Sequence, residues 1–378
     1  MKPVVIAEYL RSPFTFASKG NMAKIRPDFM ASQVVKALVV KTGIDPAEVE
    51  DLILGCAFPE AEQGMNMARL VVLEAGLPIS VAGATINRFC GSSMYAIHMA
   101  AGAIQLNAGD AFICGGVESM SRVPIGGYNP LPSPSLNEIM PDAYISMGDT
   151  AENVARQYQL TREEQETFAV ASQEKATAAR NEGRLKGEIV PIDGGNGAVT
   201  EDGCIRSGTS MDDLAGLRPV FDESGTVTAG TSSPLTDGAA ATLVCTENFA
   251  VKNDLNPLAR IKSVAVAGCA PEIMGIGPVA ASKKALERAG LSIDDIDVAE
   301  LNEAFASQSL ACLRDLNLDV AKVNLDGGAI ALGHPLGATG ARITGKAAQI
   351  LKREGGKYAL STQCIGGGQG IATIMEAL

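Results

Sequence analysis

Apolar positions along this chain follow two alternating periods. Residues 3–7 form a β-rich run, and residues 29–42 place Met30, Val34, Val35, Leu38 and Val39 at helical spacing. A short apolar strand is predicted at 52–56 and a further helix at 66–76. The next unit is the most informative. Residues 83–89 predict a strand, Gly91-Ser92-Ser93 a turn with helix-start chemistry, 94–106 an Ala-rich helix and 111–117 a buried strand. This βαβ unit sets Cys90 at its strand-to-helix junction.

Residues 119–225 change character, with Pro- and Gly-rich turn chemistry from Pro124 to Pro134, a charged helix at 161–182 and the G-G-N-G stretch at 194–197. We expect an inserted unit there. It separates a first α/β half (1–118 and 226–252) from a second (258–378), which opens with the strand at 263–268. Residues 41–49 and 288–296 share one pattern of helix end, glycine, apolar residue and new cap. The run from Cys90 to Cys114-Gly115-Gly116 is echoed by Gly337 to Cys364-Ile365-Gly366. These echoes imply internal duplication and a site where the halves meet.

Composition narrows the function. The 378 residues exceed what one core usually serves, and 46% apolar with 20% charged residues suits a globular α/β protein. A net charge of −12, with only 4% aromatics and no Trp, excludes a nucleic-acid surface. An anionic ligand would need a local basic patch. The eight cysteines lie far apart without C-x-x-C or histidine at ligand spacing, so no zinc or iron–sulfur site is expected. No uncharged apolar run is long enough for a membrane span and no basic leader precedes the first strand. The expectation is a cytoplasmic protein with free thiols.

Three glycine-embedded residues carry the candidate chemistry. Cys90, in N-R-F-C-G-S-S-M, sits at a helix mouth whose unpaired N–H groups favour thiolate, which makes it a nucleophile candidate; a buried structural thiol is the alternative. His334, in G-G-A-I-A-L-G-H-P-L-G, lies between a glycine and a proline that hold it outside helical geometry, presented from a loop as a candidate base. Cys364 precedes I-G-G-G-Q-G, where consecutive glycines can turn N–H groups toward one point. Asn302 and Glu303 follow the strand at 298–301; the first can hold a water or an oxyanion, and the second is a site carboxylate or a helix-start charge. His98, two turns into its helix, is assigned to packing. Residues 340–346 nearly match a phosphate loop, but Ala347 lacks the metal-binding hydroxyl and no strand runs into Gly340.

Taken together, N-R-F-C-G-S-S-M, N-E-A-F-A, the His334 segment, C-I-G-G-G-Q-G, T-A-G-T-S-S-P-L-T-D-G-A-A from Thr228 and I-M-G-I-G-P from Ile273 resemble the thiolases over essentially the full length. The likeness is greatest to the degradative 3-ketoacyl-CoA group, which includes the bacterial fatty-acid-oxidation β-subunit. The resemblance implies duplicated βαβαβαββ halves in five αβαβα layers, with 119–225 as a coenzyme A-binding loop domain. It implies that Cys90 becomes acylated, that His334 activates it, and that Cys364 exchanges a proton with the α-carbon. Asn302 (through a water) and His334 match one oxyanion hole; the N–H groups of Cys90 and Gly366 match the other. Arg218 and Ser233 match the coenzyme A contacts, and Met147, Met274 and Phe305 the acyl path.

The resemblance further implies coenzyme A as co-substrate with no permanently bound cofactor and no metal. It implies a homodimer or dimer of dimers, with a hydratase/dehydrogenase subunit as a further partner. Ser146 stands where short-chain biosynthetic members carry His, and Thr231-Ser-Ser-Pro234 where they carry N-A-S-G; both favour thiolytic cleavage over acetoacetyl-CoA synthesis. The rival activities are acetoacetyl-CoA thiolase, a decarboxylating condensing synthase, and a thiolase-like lipid-binding protein without turnover.

Overall fold

The structure is a computed structural model describing residues 2–195 and 197–378; Asn196, within the glycine-rich 194–197 stretch, lies outside them. The first half opens with β1 (Val4–Arg11) and β2 (Thr15–Phe16), followed by α1 (Pro27–Thr42). Pro27 occupies the first turn of α1, where its missing N–H leaves nothing unpaired, and Gly43 closes the helix at φ 66°. Then come β3 (Asp51–Gly55), α2 (Met67–Glu74), β4 (Ala82–Ile86), α3 (Ser92–Gln105) and β5 (Ala111–Ser119), with β3 parallel to both β4 and β5.

Residues 119–225 contribute α4 (Pro134–Ile139), α5 (Met147–Gln157), α6 (Arg162–Asn181), the short antiparallel strands β6 (Ile192–Asp193) and β7 (Ala198–Val199), and α7 (Met211–Ala215). β8 (Thr236–Thr246) then returns antiparallel between β1 and β5, and α8 (Glu247–Lys252) leads out of the half. The second half runs through β9 (Ala259–Gly268), α9 (Gly277–Ala289), β10 (Val298–Leu301), α10 (Ala306–Leu316), α11 (Ala329–Leu332), α12 (Leu336–Glu354), β11 (Tyr358–Ile365) and β12 (Gln369–Glu376).

Strand order makes the duplication explicit. The first half reads β4-β3-β5-β8-β1, and the second reads β10-β11-β12-β9. Where the second half lacks a counterpart of β4, Val323 forms a single parallel bridge to Ala299 of β10. The half-sheets meet where β1 pairs with β9 over only Val5↔Arg260 and Ile6↔Ala259. Helices α1 and α2 cover the first half-sheet, and α9 and α10 lie on the outer side of the second. Helices α3 and α12 pack on each other and against strands of both halves, giving five layers.

Glycine allows the central helices to approach. A side chain on Gly340 of α12 would run into the Met94 backbone of α3, and one on Gly345 into the Tyr9 ring of β1. The near-match to a phosphate loop is therefore helix packing. Its Lys346 is 2% exposed and lies 2.8 Å from both Glu188 and Asp326. Arg11 of β1 adds bonds to Glu188 (2.8 Å) and Asp202 (2.6 Å), so buried opposite charges tie the 119–225 segment to β1 and α12. Removing one member of such a buried set leaves a charge uncompensated and costs about 3–5 kcal/mol. Among the described residues no helix is long and apolar enough to cross a membrane.

Candidate active site

Cys90 follows β4 by four residues, with Gly91 capping α3. The turn is held by Ser92, whose Oγ accepts the Arg88 N–H at 2.8 Å and donates to the Phe89 carbonyl at 2.6 Å. Phe89 sits at φ 43°, a left-handed conformation unusual for an aromatic residue, with its N–H on Asn87 Oδ1 at 2.8 Å. Cys90 is 7% exposed. Its environment corrects the expectation of a helix-favoured thiolate. Burial pushes the thiol up to about 11, outweighing the Gly366 N–H that stabilises the anion, and the Glu118 charge pushes the same way. At neutral pH, Cys90 is a thiol and depends on a base.

His334 precedes α12 by two residues. Gly333 before it has φ 104°, and a side chain there would press on Thr236 and Cys204. The His334 N–H donates to Thr236 Oγ1 at 3.0 Å. The loop does not leave the imidazole in the open as expected; His334 is 4% exposed. Nδ1 lies 2.6 Å from Thr339 Oγ1, which donates to the Pro335 carbonyl at 3.1 Å. A carbonyl only accepts, so the hydroxyl accepts from Nδ1–H, and the lone pair resides on Nε2. Asn302 Nδ2 faces that nitrogen at 3.4 Å. Burial, then the Arg342 charge, brings the imidazole down to about 3, keeping it neutral.

Asn302 leaves β10 with its N–H on the Thr362 carbonyl at 3.0 Å, and its buried Oδ1 makes no hydrogen bond among the described residues. Glu303 differs from both expected roles. Its carboxylate accepts from Ser172 Oγ (2.6 Å), Asn324 Nδ2 (2.7 Å) and the Ile330 N–H (3.2 Å), bracing α6 and α11 from the interior.

Cys364 lies near the end of β11 opposite Gly370 and is 1% exposed. It packs with Met274, Ala304, Phe305 and the half-buried Met147. Burial, and then the Cys90 sulfur, push this thiol well above its ordinary value. The Gly366 N–H is directed to Cys90, while Gln363 Nε2 donates to the Cys90 carbonyl. Phe89 and Met147 flank Gly366. Thus Cys90, Cys364 and Gly366 meet within one cluster and His334 meets Asn302, while α3 and α12, the helices that follow Cys90 and His334, begin side by side. Ser93 of α3 accepts the Ala341 N–H of α12 at 2.8 Å.

The ligand-contact candidates divide. Met147, Met274 and Phe305 line the apolar side of Cys364, and Ser233 hangs beside them through its N–H to the Ala304 carbonyl at 2.9 Å. Arg218 stands apart, exposed beside the Pro219–Thr228 bridge, with no ion pair among the described residues. His98 bonds Thr373 Oγ1 at 2.8 Å within the α3–β12 contact. Sequence reasoning missed Thr339, Thr236, Gln363 and Glu118. Thr339 had a signal, lying on the first turn of the helix after His334; the others act across long sequence separations. Among the described residues no group of three or more His, Cys, Asp or Glu side chains is arranged to hold a metal.

Comparison with known proteins bears on the family. The profile of the thiolase N-terminal domain matches residues 4–248, and that of the thiolase C-terminal domain matches 255–377. The 3-ketoacyl-CoA thiolase of Marinobacter nauticus is 48% identical over 388 residues, covering 100% of this chain and 99% of the relative. That of Bacillus subtilis is 45% identical over 392 residues, covering 100% of both. The crystal structure of the Bacillus anthracis acetyl-CoA acetyltransferase superimposes with a TM-score of 0.91 at 40% identity, over 100% of this chain and 99% of that one. Duplicated half-sheets, a cysteine and a histidine at the starts of paired central helices, and full-length similarity lead to one conclusion: the chain belongs to the thiolase family.

Proposed function

We propose that this chain is a 3-ketoacyl-CoA thiolase that cleaves its substrate with coenzyme A to acetyl-CoA and a shortened acyl-CoA. The reading is supported by a buried thiol just before α3, a second, proton-holding thiol beside it near the end of β11, and a neutral imidazole before α12 with its lone pair on Nε2. His334 takes the proton of Cys90 as the sulfur attacks the 3-keto carbon. Because the thiol holds its proton tightly and the imidazole accepts one poorly, no thiolate is stored; transfer accompanies C–S bond formation.

The oxyanion formed on the 3-keto carbon is met by Asn302, through a water, and by His334. Its collapse breaks the C2–C3 bond, leaving acyl-Cys90 and a carbanion at C2 that takes the Cys364 proton, so acetyl-CoA departs. The oxygen of the acyl-thioester faces the N–H groups of Cys90 and Gly366. Coenzyme A then gives its thiol proton to the Cys364 thiolate and attacks the acyl carbon. The second oxyanion collapses, Cys90 leaves and recovers its proton from His334, and every group is restored. The kinetics are ping-pong.

Arg218 and Ser233 bind coenzyme A in this reading; Met147, Met274 and Phe305 bound the acyl path. The protein works in the cytoplasm, in fatty-acid β-oxidation, as a homodimer or dimer of dimers that also accepts a hydratase/dehydrogenase subunit. An acetyl-CoA acetyltransferase activity is the second reading, favoured by the structural likeness to the Bacillus anthracis enzyme. Peptide mass spectrometry after mixing with 3-ketoacyl-CoA tests the first: the acyl mass belongs on the Cys90 peptide, and finding it elsewhere removes the nucleophile. Cleavage across chains of four to sixteen carbons separates the readings, because the second predicts turnover at four carbons alone.

A further inference from the structure

Glu118 is the last residue but one of β5 in the first half-sheet. Glu118 is fully buried, forms no ion pair among the described residues, and is surrounded by donors. Oε2 accepts the Ala57 N–H at 2.8 Å and the Gly337 N–H at 2.9 Å. Oε1 accepts Gln63 Nε2 at 2.9 Å and the Phe58 N–H at 3.2 Å, with Cys56 Sγ at 3.6 Å.

Two of these bonds begin a continuous path between the reacting groups. Gly337 lies three residues after His334, in the first turn of α12. From Ala57, whose N–H is on Glu118, the carbonyl accepts Asn87 Nδ2 at 2.9 Å. Asn87 Oδ1 in turn accepts the N–H of Phe89, the left-handed residue next to Cys90, at 2.8 Å. A buried carboxylate binds several N–H groups at once with charge-assisted strength, so it can fix two loops with respect to each other. We propose that Glu118 is a positioning residue: acting through Ala57 and Asn87, it holds the Cys90 turn and the His334 loop at reacting distance. The inference rests on the reading of Cys90 as nucleophile and His334 as base.

Single-turnover acylation of Cys90 by acetoacetyl-CoA, followed by quench and mass spectrometry, tests this with wild type, E118Q, N87A and N87D. E118Q keeps the shape but turns an amide toward the donors. N87A cuts the far end of the path at an exposed position that does not threaten folding, while N87D keeps the acceptor for Phe89 and loses the donor to Ala57. The acylation rate is expected to fall about a hundredfold in E118Q and about tenfold in both Asn87 variants, with the half-saturating substrate concentration changed less than about twofold. Equal rates in N87A, N87D and wild type overturn the proposal, as does an E118Q enzyme that loses affinity while keeping its rate. If E118Q does not fold, the Asn87 pair decides. Alkylation of Cys90 by iodoacetamide needs no substrate and is expected to slow in the same order. Should wild-type Cys90 take no acyl group, the thiolase reading falls, and the alkylation rates still judge the path.

Discussion

The Thr339 hydroxyl lies 2.6 Å from His334 Nδ1 and gives its own hydrogen to the Pro335 carbonyl, which places the imidazole lone pair on Nε2, where it accepts from Asn302 Nδ2 at 3.4 Å. One hydroxyl in the first turn of α12 thereby sets which nitrogen can act as base.

Replacing Thr339 by Val keeps the volume and removes that setting. The expected result is a fall in kcat of about ten- to a hundredfold, because general-base catalysis is worth about 10²–10⁴ and part of it survives a freer ring. Thr339→Ser should keep most of the activity. A T339V enzyme at wild-type kcat would remove the hydroxyl from the mechanism.

The Cys90 thiol should behave as its burial dictates. With its titration pushed up to about 11 and His334 down to about 3, neither group changes charge between pH 5 and 8. Iodoacetamide alkylation should therefore keep rising with pH toward about 11, without a plateau near neutrality. A plateau centred on pH 7 would show a stored thiolate–imidazolium pair instead.

Carbon–carbon cleavage should depend on Cys364 far more than acyl exchange does, because a carbanion needs a proton whereas coenzyme A can leave as a thiolate. In Cys364→Ala, Cys90 should still take an acyl group from an acyl-CoA, since that exchange breaks no carbon–carbon bond. Cleavage of 3-ketoacyl-CoA should fall by about 10² or more for want of the carbon acid. Loss of both activities would show that the second thiol has no separate task.

Two neutral histidines, His334 buried and His98 half-buried, are expected to make stability depend on pH. His334 and His98 are both brought down to about 3 by burial, with Arg342 and Arg88 respectively adding to it. An unfolded chain takes up protons below its ordinary value of about 6.5, whereas the folded chain does not. The stabilisation is complete above that value and is lost as pH falls toward 3, at about 1.4 kcal/mol per pH unit for each fully depressed histidine. Urea midpoints at pH 7 and 5 measure the slope, and His98→Gln should lessen it. An unchanged slope in that variant would exclude His98 as a contributor.

Much of the scaffold was legible because period and punctuation are local. The helix expected at 94–106 is Ser92–Gln105, the strand expected at 111–117 is Ala111–Ser119, and residues 298–301 form the expected strand. Glycine and proline around His334 signalled a special loop but not its burial, because burial depends on packing with distant segments, as the contact of Thr236 with the His334 N–H shows. The helix mouth at Cys90 suggested a charged sulfur for a similar reason: a terminal dipole can be inferred from order, whereas desolvation depends on what packs above. Glu118 gave no signal, sitting at the end of an apolar run with partners sixty residues before and two hundred after it.

The interlocked Arg11, Glu188 and Lys346 have a mechanical consequence. Swinging the 119–225 segment away from the body would leave Arg11 without Glu188 and Asp202, and Lys346 with Asp326 alone, until water filled the gap. A partly ajar state is therefore suppressed, and the segment is either seated or the whole molecule is coming apart. A ligand passing this segment would then rely on side-chain adjustment in place of a swinging door.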